Sequence, residues 1–465
     1  MMVNSKQESL KVPHTKKTKF VSFDGSIEIV SQHQRPDRFR NLEQIPKDVI
    51  RIGRGGGYSY AAPSFGKNIL TQEMTSFNRI LEFDAKSQTV VVESGVTLKE
   101  LLKWSFRKKL LLKIQPGHPD ITIGGCVAAN VHGKNPHKDG TFVDVVLEIK
   151  LFHPDHGLMT LSRTQNTNIF ELTCGGLGLT GIIVSVKLQL DVLPSDRMIF
   201  ERTAIESMMD AVEFFKNNLD ADFISSWHDG SPLKKNFGRG VGYQGIFADG
   251  FKSNKLIMPK KKALTPFSRA NLPFSIWNKT TAAITYSFYR KREITGPKTY
   301  ERNVFDSMFP FAGNAKSFHL FFGKNGFAEY QILVPFNKVK EFVNDVTKLI
   351  KIEKPPLIVI FMKPFNGNQK YLRYSGSGIT IALDFQRSPI TDKTLSKLDD
   401  IIISYGAIPN IIKGSNKRIV QNCFPEYHKF IDELKKFDPR VKSYLELLYK
   451  SKLGTLVYKI NHGSE

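Results

Sequence analysis

The chain is poor in cysteine, in long apolar runs and in acid, and each scarcity excludes something. Of 465 residues only Cys126, Cys174 and Cys423 are cysteine, widely spaced and with no CxxC pair. That excludes a disulfide framework and a cysteine-ligated zinc site, and it fits a reducing compartment. No run approaches the roughly 20 apolar residues that span a bilayer; Pro355 to Met362 is too short and reads as a buried strand. The stretch from Met1 to Lys19 is polar and lysine-bearing, without the apolar centre of a signal peptide. A cytoplasmic protein is therefore expected, peripheral at most at the inner membrane face. Acid is outnumbered, 44 Asp and Glu against 67 Lys and Arg, for a net charge of +23. Such a field favours nucleic acid, acidic lipid or a phosphorylated substrate. A nucleic-acid-binding protein is the competing class. No RNP-like aromatic segment, zinc-finger spacing or basic heptad region supports it, so no nucleic acid is expected as a partner.

What is present is ordinary in bulk: 41% apolar and 24% charged residues belong to a globular chain. Its length exceeds what one core usually supports, so two lobes are the default expectation. Residues 1–18 read as a mobile basic tail. An apolar-leaning segment, Asp48 to Ile52, runs into Gly53-Arg54-Gly55-Gly56-Gly57-Tyr58-Ser59-Tyr60. Ile80 to Phe83 and Thr89 to Glu93 read as strands joined by a turn. Thr97 with Glu100 forms a capping box for a helix whose buried face carries Leu98, Leu101 and Leu102. Phe142 to Phe152 and Gly181 to Leu193 are further strands. Beyond Pro194 the texture alternates strand and amphipathic helix: Tyr330 to Val334 then Val339 to Ile350, and Ile379 to Phe385 then Thr394 to Tyr405, stopped by Gly406. Paired units of this kind predict an α+β protein with an antiparallel sheet covered by helices on one face.

Two segments suit a ligand. Between Gly53 and Gly57 the absence of Cβ atoms lets backbone N–H groups converge on a phosphate. It is not the Rossmann fingerprint, since Tyr58 stands where the third glycine is required, and no GK dipeptide completes a Walker A loop. From Pro116 to Asn135 the chain is so short of large side chains that it cannot fill a core, and it suits backbone lying against a flat, hydrogen-bonding ligand. His132, followed by Gly133, has no acidic or cysteine residue beside it as a partner, so no metal site is expected.

Read with Val90 to Thr97 and Gly175 to Ile183, these blocks resemble, in order and spacing, the vanillyl-alcohol oxidase and p-cresol methylhydroxylase family of FAD enzymes. Within it the likeness is greatest to the branch that oxidises decaprenylphosphoryl-linked ribose, the flavin half of a two-enzyme epimerase. Further points of likeness are Val131 to Asn135, Ser226 to Asp229, Gly238 to Val241, Gly323 to Gln331, Ile379 to Phe385, Lys413, Phe424-Pro425, Asp438 to Val441 and Leu445 to Leu448.

The resemblance implies a two-lobed fold. An FAD-binding domain spans 19–195, a substrate or cap domain 196–408, and the segment 409–465 returns to the first domain, with the active site where the lobes meet. It implies that Arg54, Gly55, Gly56, Gly57, Tyr58, Ser59, Tyr60, Gly117, Thr122, Ile123, Gly124, Gly125, Asn130, Val131, His132 and Ile183 line the FAD. Tyr58 stands where covalent members carry their flavin-linked histidine, which implies noncovalent FAD. Gln331, Tyr60, Glu329, Thr380 and Lys413 are implied to face the substrate. Ala382 replaces a cysteine of that pocket, Thr380 an asparagine and Glu329 a glutamine, and Phe309 stands near a tyrosine. Lys413 and His132 are the implied catalytic pair, Lys413 answering anionic charge and His132 orienting a proton. The implied reaction takes hydride from a secondary alcohol of a sugar, foremost a polyprenyl-phosphate-linked pentose in envelope synthesis, with a separate ketoreductase as partner. An aldonolactone or free-sugar alcohol oxidase is the alternative. Finally, Met258 to Lys262 and Ile276 to Arg292 interleave basic and aromatic residues, which suits a loop resting on an acidic membrane.

Overall fold

The computed structural model describes residues 14–60, 64–231, 237–259, 279–310, 326–414 and 416–439. Strands and helices follow the patterning above with shifted ends. Lys16–Val21 is already a strand, paired antiparallel with Glu28–Gln34, so the expected tail gives way to structure before residue 18. The pair continues through Leu70–Glu73 to Arg51–Arg54, both joined in parallel, as a four-stranded sheet. A five-stranded antiparallel sheet runs in the order Ile80–Asp84, Thr89–Glu93, Ile182–Gln189, Val146–His153, Gly157–Ser162. The expected strand from Phe142 begins only at Val146, because Phe142–Val145 form a 3-10 turn boxed by Thr141 and Asp144.

One expectation is corrected here. The small-residue stretch after Pro116 does contribute to the core: Thr122 caps the helix Ile123–Ala129, whose Ile123, Cys126 and Val127 are fully buried. Small residues pack a helix closely against its neighbours where large ones would not fit.

The capping box at Leu98–Phe106 forms as expected, with the Glu100 amide donating to Thr97 Oγ1 and Glu100 accepting from the Thr97 amide at 2.9 Å. Thr97→Ala is expected to cost about 1 kcal/mol, read as a lower urea midpoint at unchanged slope.

The third sheet has eight antiparallel strands: Thr299–Asn303, Arg197–Ile205, Gly240–Phe247, Phe223–Asp229, Leu357–Phe365, Gly378–Gln386, Phe327–Pro335 and Ile408–Pro409. Alternation decides what each face does. Ala328, Tyr330, Ile332 and Val334, with Ile379, Ile381, Leu383 and Phe385, pack against the helices Met208–Lys216, Val339–Glu353 and Pro389–Ser404. The intervening Glu329, Gln331, Thr380, Ala382 and Asp384 are thereby turned to the opposite face. After this sheet the chain returns to its first part. Ile411, Val420, Phe424, Phe430 and Leu434 share one core with Ile52, Ile69, Leu172 and Leu179. No helix among the described residues is long and apolar enough to cross a membrane.

Candidate active site

The strand Arg51–Arg54 delivers the glycine run directly against the Asp120–Thr122 segment. A Cβ on Gly55 would stand 2.1 Å from Thr122 Oγ1, one on Gly56 2.8 Å from the Asp120 carbonyl, and Gly57 has φ +77°. Among the described residues the amides of Gly55, Gly56, Gly57 and Tyr58 make no backbone hydrogen bond. Open donors on a loop without side chains suit a diphosphate. Ser94 Oγ, beside Gly124, is buried without a hydrogen-bond partner among the described residues. These residues fit an FAD.

The other expected cofactor residues divide by what their groups already do. The amides of Ile123 and Gly124 donate to the Val96 and Ser94 carbonyls at 2.8 and 2.7 Å, and Gly125 to Thr122 Oγ1 at 3.4 Å. They supply close packing, since a Cβ on Gly124 would stand 2.8 Å from Ser94 Cβ. Asn130, in the left-handed region, spends its side chain on Thr141 Oγ1 and the Val143 amide. Val131 and Ile183 belong to the core, and Gly117 is half-buried. The Arg54 guanidinium lies over the Phe20 and Phe65 rings, at 4.8 and 5.3 Å. Tyr58 packs on the His118 ring at 4.2 Å, and the Ser59 carbonyl accepts from the Phe23 amide.

Of the residues expected to face a substrate, strand register gathers Glu329, Gln331 and Thr380 on one wall. Glu329 pairs with Asp384, and Gln331 with Ala382, which in turn pairs with Phe361. Lys413 arrives from the C-terminal segment, its Nζ 3.2 Å from Glu329 Oε2 and 3.7 Å from the centre of the Tyr60 ring. The Tyr60 amide donates to the Ile412 carbonyl at 3.0 Å, tying the glycine-rich loop to the same segment. Burial disfavours the Lys413 ammonium, but Glu329, Tyr60 and Asp384 outweigh it and hold its pKa above the ordinary value. Burial, reinforced by Glu329, pushes the Asp384 carboxyl well above the carboxylate range, and its Oδ1 has no hydrogen-bond partner among the described residues.

His132 stands at the far end of this wall. Gln331 Nε2 lies 3.4 Å from its Nε2, and Gln331 Oε1 accepts from Asn410 Nδ2 at 2.6 Å. Burial and then Lys363 hold the imidazole well below its usual pKa, so it is neutral. The Thr380 hydroxyl accepts from Tyr374, whose ring lies 5.6 Å from that of His132. Phe309 does not join the group; it is buried in the core beside Phe305. Gly323 to Asn325, Arg440, Val441 and Leu445 to Leu448 lie outside the described residues.

Sequence reasoning missed Lys363, Asn410 and Lys134. Lys363 Nζ stands 2.8 Å from both His132 Nδ1 and the Gly133 carbonyl. Burial, with Lys134 and Lys413 nearby, draws its pKa down to about 7, and burial does the same to Lys134. One signal was available: Lys363 is the single charge in the otherwise apolar strand Leu357–Phe365, and a buried lysine is rare without a task.

Residues 48–162 match the family described as an FAD binding domain. The chain is 25% identical over 405 residues to a decaprenylphosphoryl-beta-D-ribose oxidase of Mycolicibacterium smegmatis, covering 85% of this chain and 86% of that one. It is 22% identical over 410 residues to L-gulonolactone oxidase 5 of Arabidopsis thaliana, covering 77% and 69%. Over 160 residues, a third of each chain, it is 29% identical to a D-lactate dehydrogenase of Archaeoglobus fulgidus. The nucleic-acid-binding alternative gives way before these matches. With a glycine cradle that fits FAD and a polar wall beside it, the chain is an FAD-dependent oxidoreductase acting on CH–OH groups, similar to oxidases of the vanillyl-alcohol oxidase and p-cresol methylhydroxylase type.

Proposed function

We propose that this oxidoreductase acts on a secondary alcohol of a polyprenyl-phosphate-linked sugar, foremost a pentose, with FAD held noncovalently. One observation carries the reading: Lys134, Lys363 and Lys413, all half-buried, stand close enough around His132 to act on one another or on its ring. Mutual repulsion of buried ammonium groups is relieved by an anionic ligand, and a phosphate-linked sugar brings one. The relative named for decaprenylphosphoryl-ribose supports the same class. A separate ketoreductase would then take the ketone onward. The similarity to a gulonolactone oxidase favours the second reading, a free aldonolactone or sugar alcohol.

FAD, when bound, supplies the two-electron acceptor for the carbinol C–H. Gly55 to Tyr58 would hold its diphosphate and His132 would lie on its substrate side. Lys413, kept charged by Glu329, stabilises negative charge developing on the substrate oxygen. Gln331, fixed by Asn410, orients a sugar hydroxyl.

The proton at His132 depends on Lys363. A neutral Lys363 amine accepts from His132 Nδ1–H, which leaves Nε2 free as a base; an ammonium donates to Nδ1 instead and moves the ring proton to Nε2. The charged form predominates below about pH 7, so flavin reduction is expected to slow as pH falls through about 7. Lys363→Met should lose that inflection; a profile identical to the parent's would remove Lys363 from the mechanism.

The test of the whole reading is anaerobic bleaching of the flavin band by polyprenyl-phosphoryl pentose and, separately, by gulonolactone, after acid precipitation has shown where the flavin goes. Bleaching by the first and flavin in the supernatant are expected. Bleaching by the lactone alone would establish the second reading, and flavin retained in the pellet would overturn the assignment of Tyr58.

A further inference from the structure

The basic, aromatic stretch expected as a loop is in part a helix, Lys279–Thr295, and its two faces differ. Lys260, Lys261, Lys262, Ile276 and Trp277 lie outside the described residues. The inner face is buried: Tyr286 and Tyr289 stand 5.1 and 4.8 Å from the Trp227 ring, and Glu293 pairs with Arg202 at 3.0 Å. Tyr286 shares a cluster with Phe327, Val359, Tyr60 and Phe361, on the sheet face that carries Glu329 and Asp384, so this helix packs beside the site wall. Tyr289 and Arg290 therefore do not serve a surface; Arg290 is bound to Glu206.

The outer face carries Ile284 and Phe288, 66% and 70% exposed and one turn apart, with Lys291 and Arg292 exposed beside them. At 3.6 residues per turn these four occupy an arc of roughly 100°. Two large apolar side chains stacked in water and flanked by base are not the scattered exposure common on protein surfaces.

We propose that this outer face docks on an anionic bilayer, with Ile284 and Phe288 entering the headgroup layer and Lys291 and Arg292 meeting lipid phosphates. The complementarity is on the chain itself, whose net charge is +23, and each basic residue near an anionic surface adds to the attraction. Because the inner face of the same helix packs beside the site wall, docking brings that wall to the membrane, where a polyprenyl-phosphate substrate resides. This delivery role rests on the proposed lipid-linked substrate; the docking does not.

The holoenzyme is to be sedimented with vesicles of phosphatidylglycerol and phosphatidylcholine, and with phosphatidylcholine alone, at low and high salt. Binding to the anionic vesicles that weakens with salt is expected. Ile284→Ser with Phe288→Ser, and separately Lys291→Glu with Arg292→Glu, should each weaken it by roughly tenfold or more, with the flavin spectrum unchanged as the control for folding. Failure of the parent enzyme to bind, or equal binding by both double variants, would overturn the proposal. So would a dimer in vesicle-free solution that the same substitutions dissolve, since a second copy would then cover this face. Flavin bleaching by detergent-dispersed substrate is scored separately. Vesicle binding without bleaching upholds the docking and sinks the sugar assignment; bleaching without vesicle binding does the reverse.

Discussion

Lys413→Met is expected to slow flavin reduction by the sugar substrate at least about 100-fold, the scale set by removing one preorganised charge from a developing oxyanion. The loss should fall on kcat more than on KM, because the charge develops only as the alcohol gives up its proton. The variant also strips Glu329 of its cation, next to an Asp384 carboxyl whose pKa burial already raises. Breaking a buried pair costs about 3–5 kcal/mol, so a second variant is needed. Lys413→Met combined with Glu329→Gln removes both charges and should restore stability without restoring rate. Recovery of turnover in the double variant would make Lys413 a structural residue only.

Gly55→Val should yield a folded but colourless protein. A Cβ at this position falls 2.1 Å from Thr122 Oγ1, and that hydroxyl cannot retreat freely because it caps the helix Ile123–Ala129. The loop must move outward, taking with it the open amides of Gly56, Gly57 and Tyr58. The expected result is loss of bound flavin by more than about tenfold, well beyond the few tenths of a kcal/mol of an ordinary surface change. Circular dichroism checks the fold and the visible spectrum checks the cofactor. A yellow Gly55→Val protein with parental flavin content would show that the cradle lies elsewhere.

The legible parts of this site were those in which neighbours in the chain are neighbours in space. A glycine run after a strand, a Thr-Glu capping pair and an amphipathic stretch such as Val339–Glu353 each carry their geometry locally. Lys363 and Asn410 were not legible, for a physical reason. Their meaning comes from register, which sets Lys363 against Thr380 and brings Asn410 to Gln331, and no local pattern reports register between distant strands. The small-residue stretch misled in the opposite sense. A dearth of bulk reads as unfit for a core, yet Cys126 and Val127 fill one because the neighbouring backbone comes so close. Likewise the mix of base and aromatics in 279–295 was visible as composition, whereas its division into two faces required the helix.

The return of the last segment to the first core also bears on how the enzyme comes into being on the ribosome. The glycine cradle is made early, the wall of Glu329 and Gln331 much later, and Lys413 with Asn410 later still, docked through Ile411, Val420 and Phe424 onto Ile52 and Ile69. Domains fold as they emerge, the N-terminal part first. The cradle and the residues that serve its ligand are thus made at different times, and the core behind the glycine-bearing strand closes only when the segment carrying Lys413 docks on it.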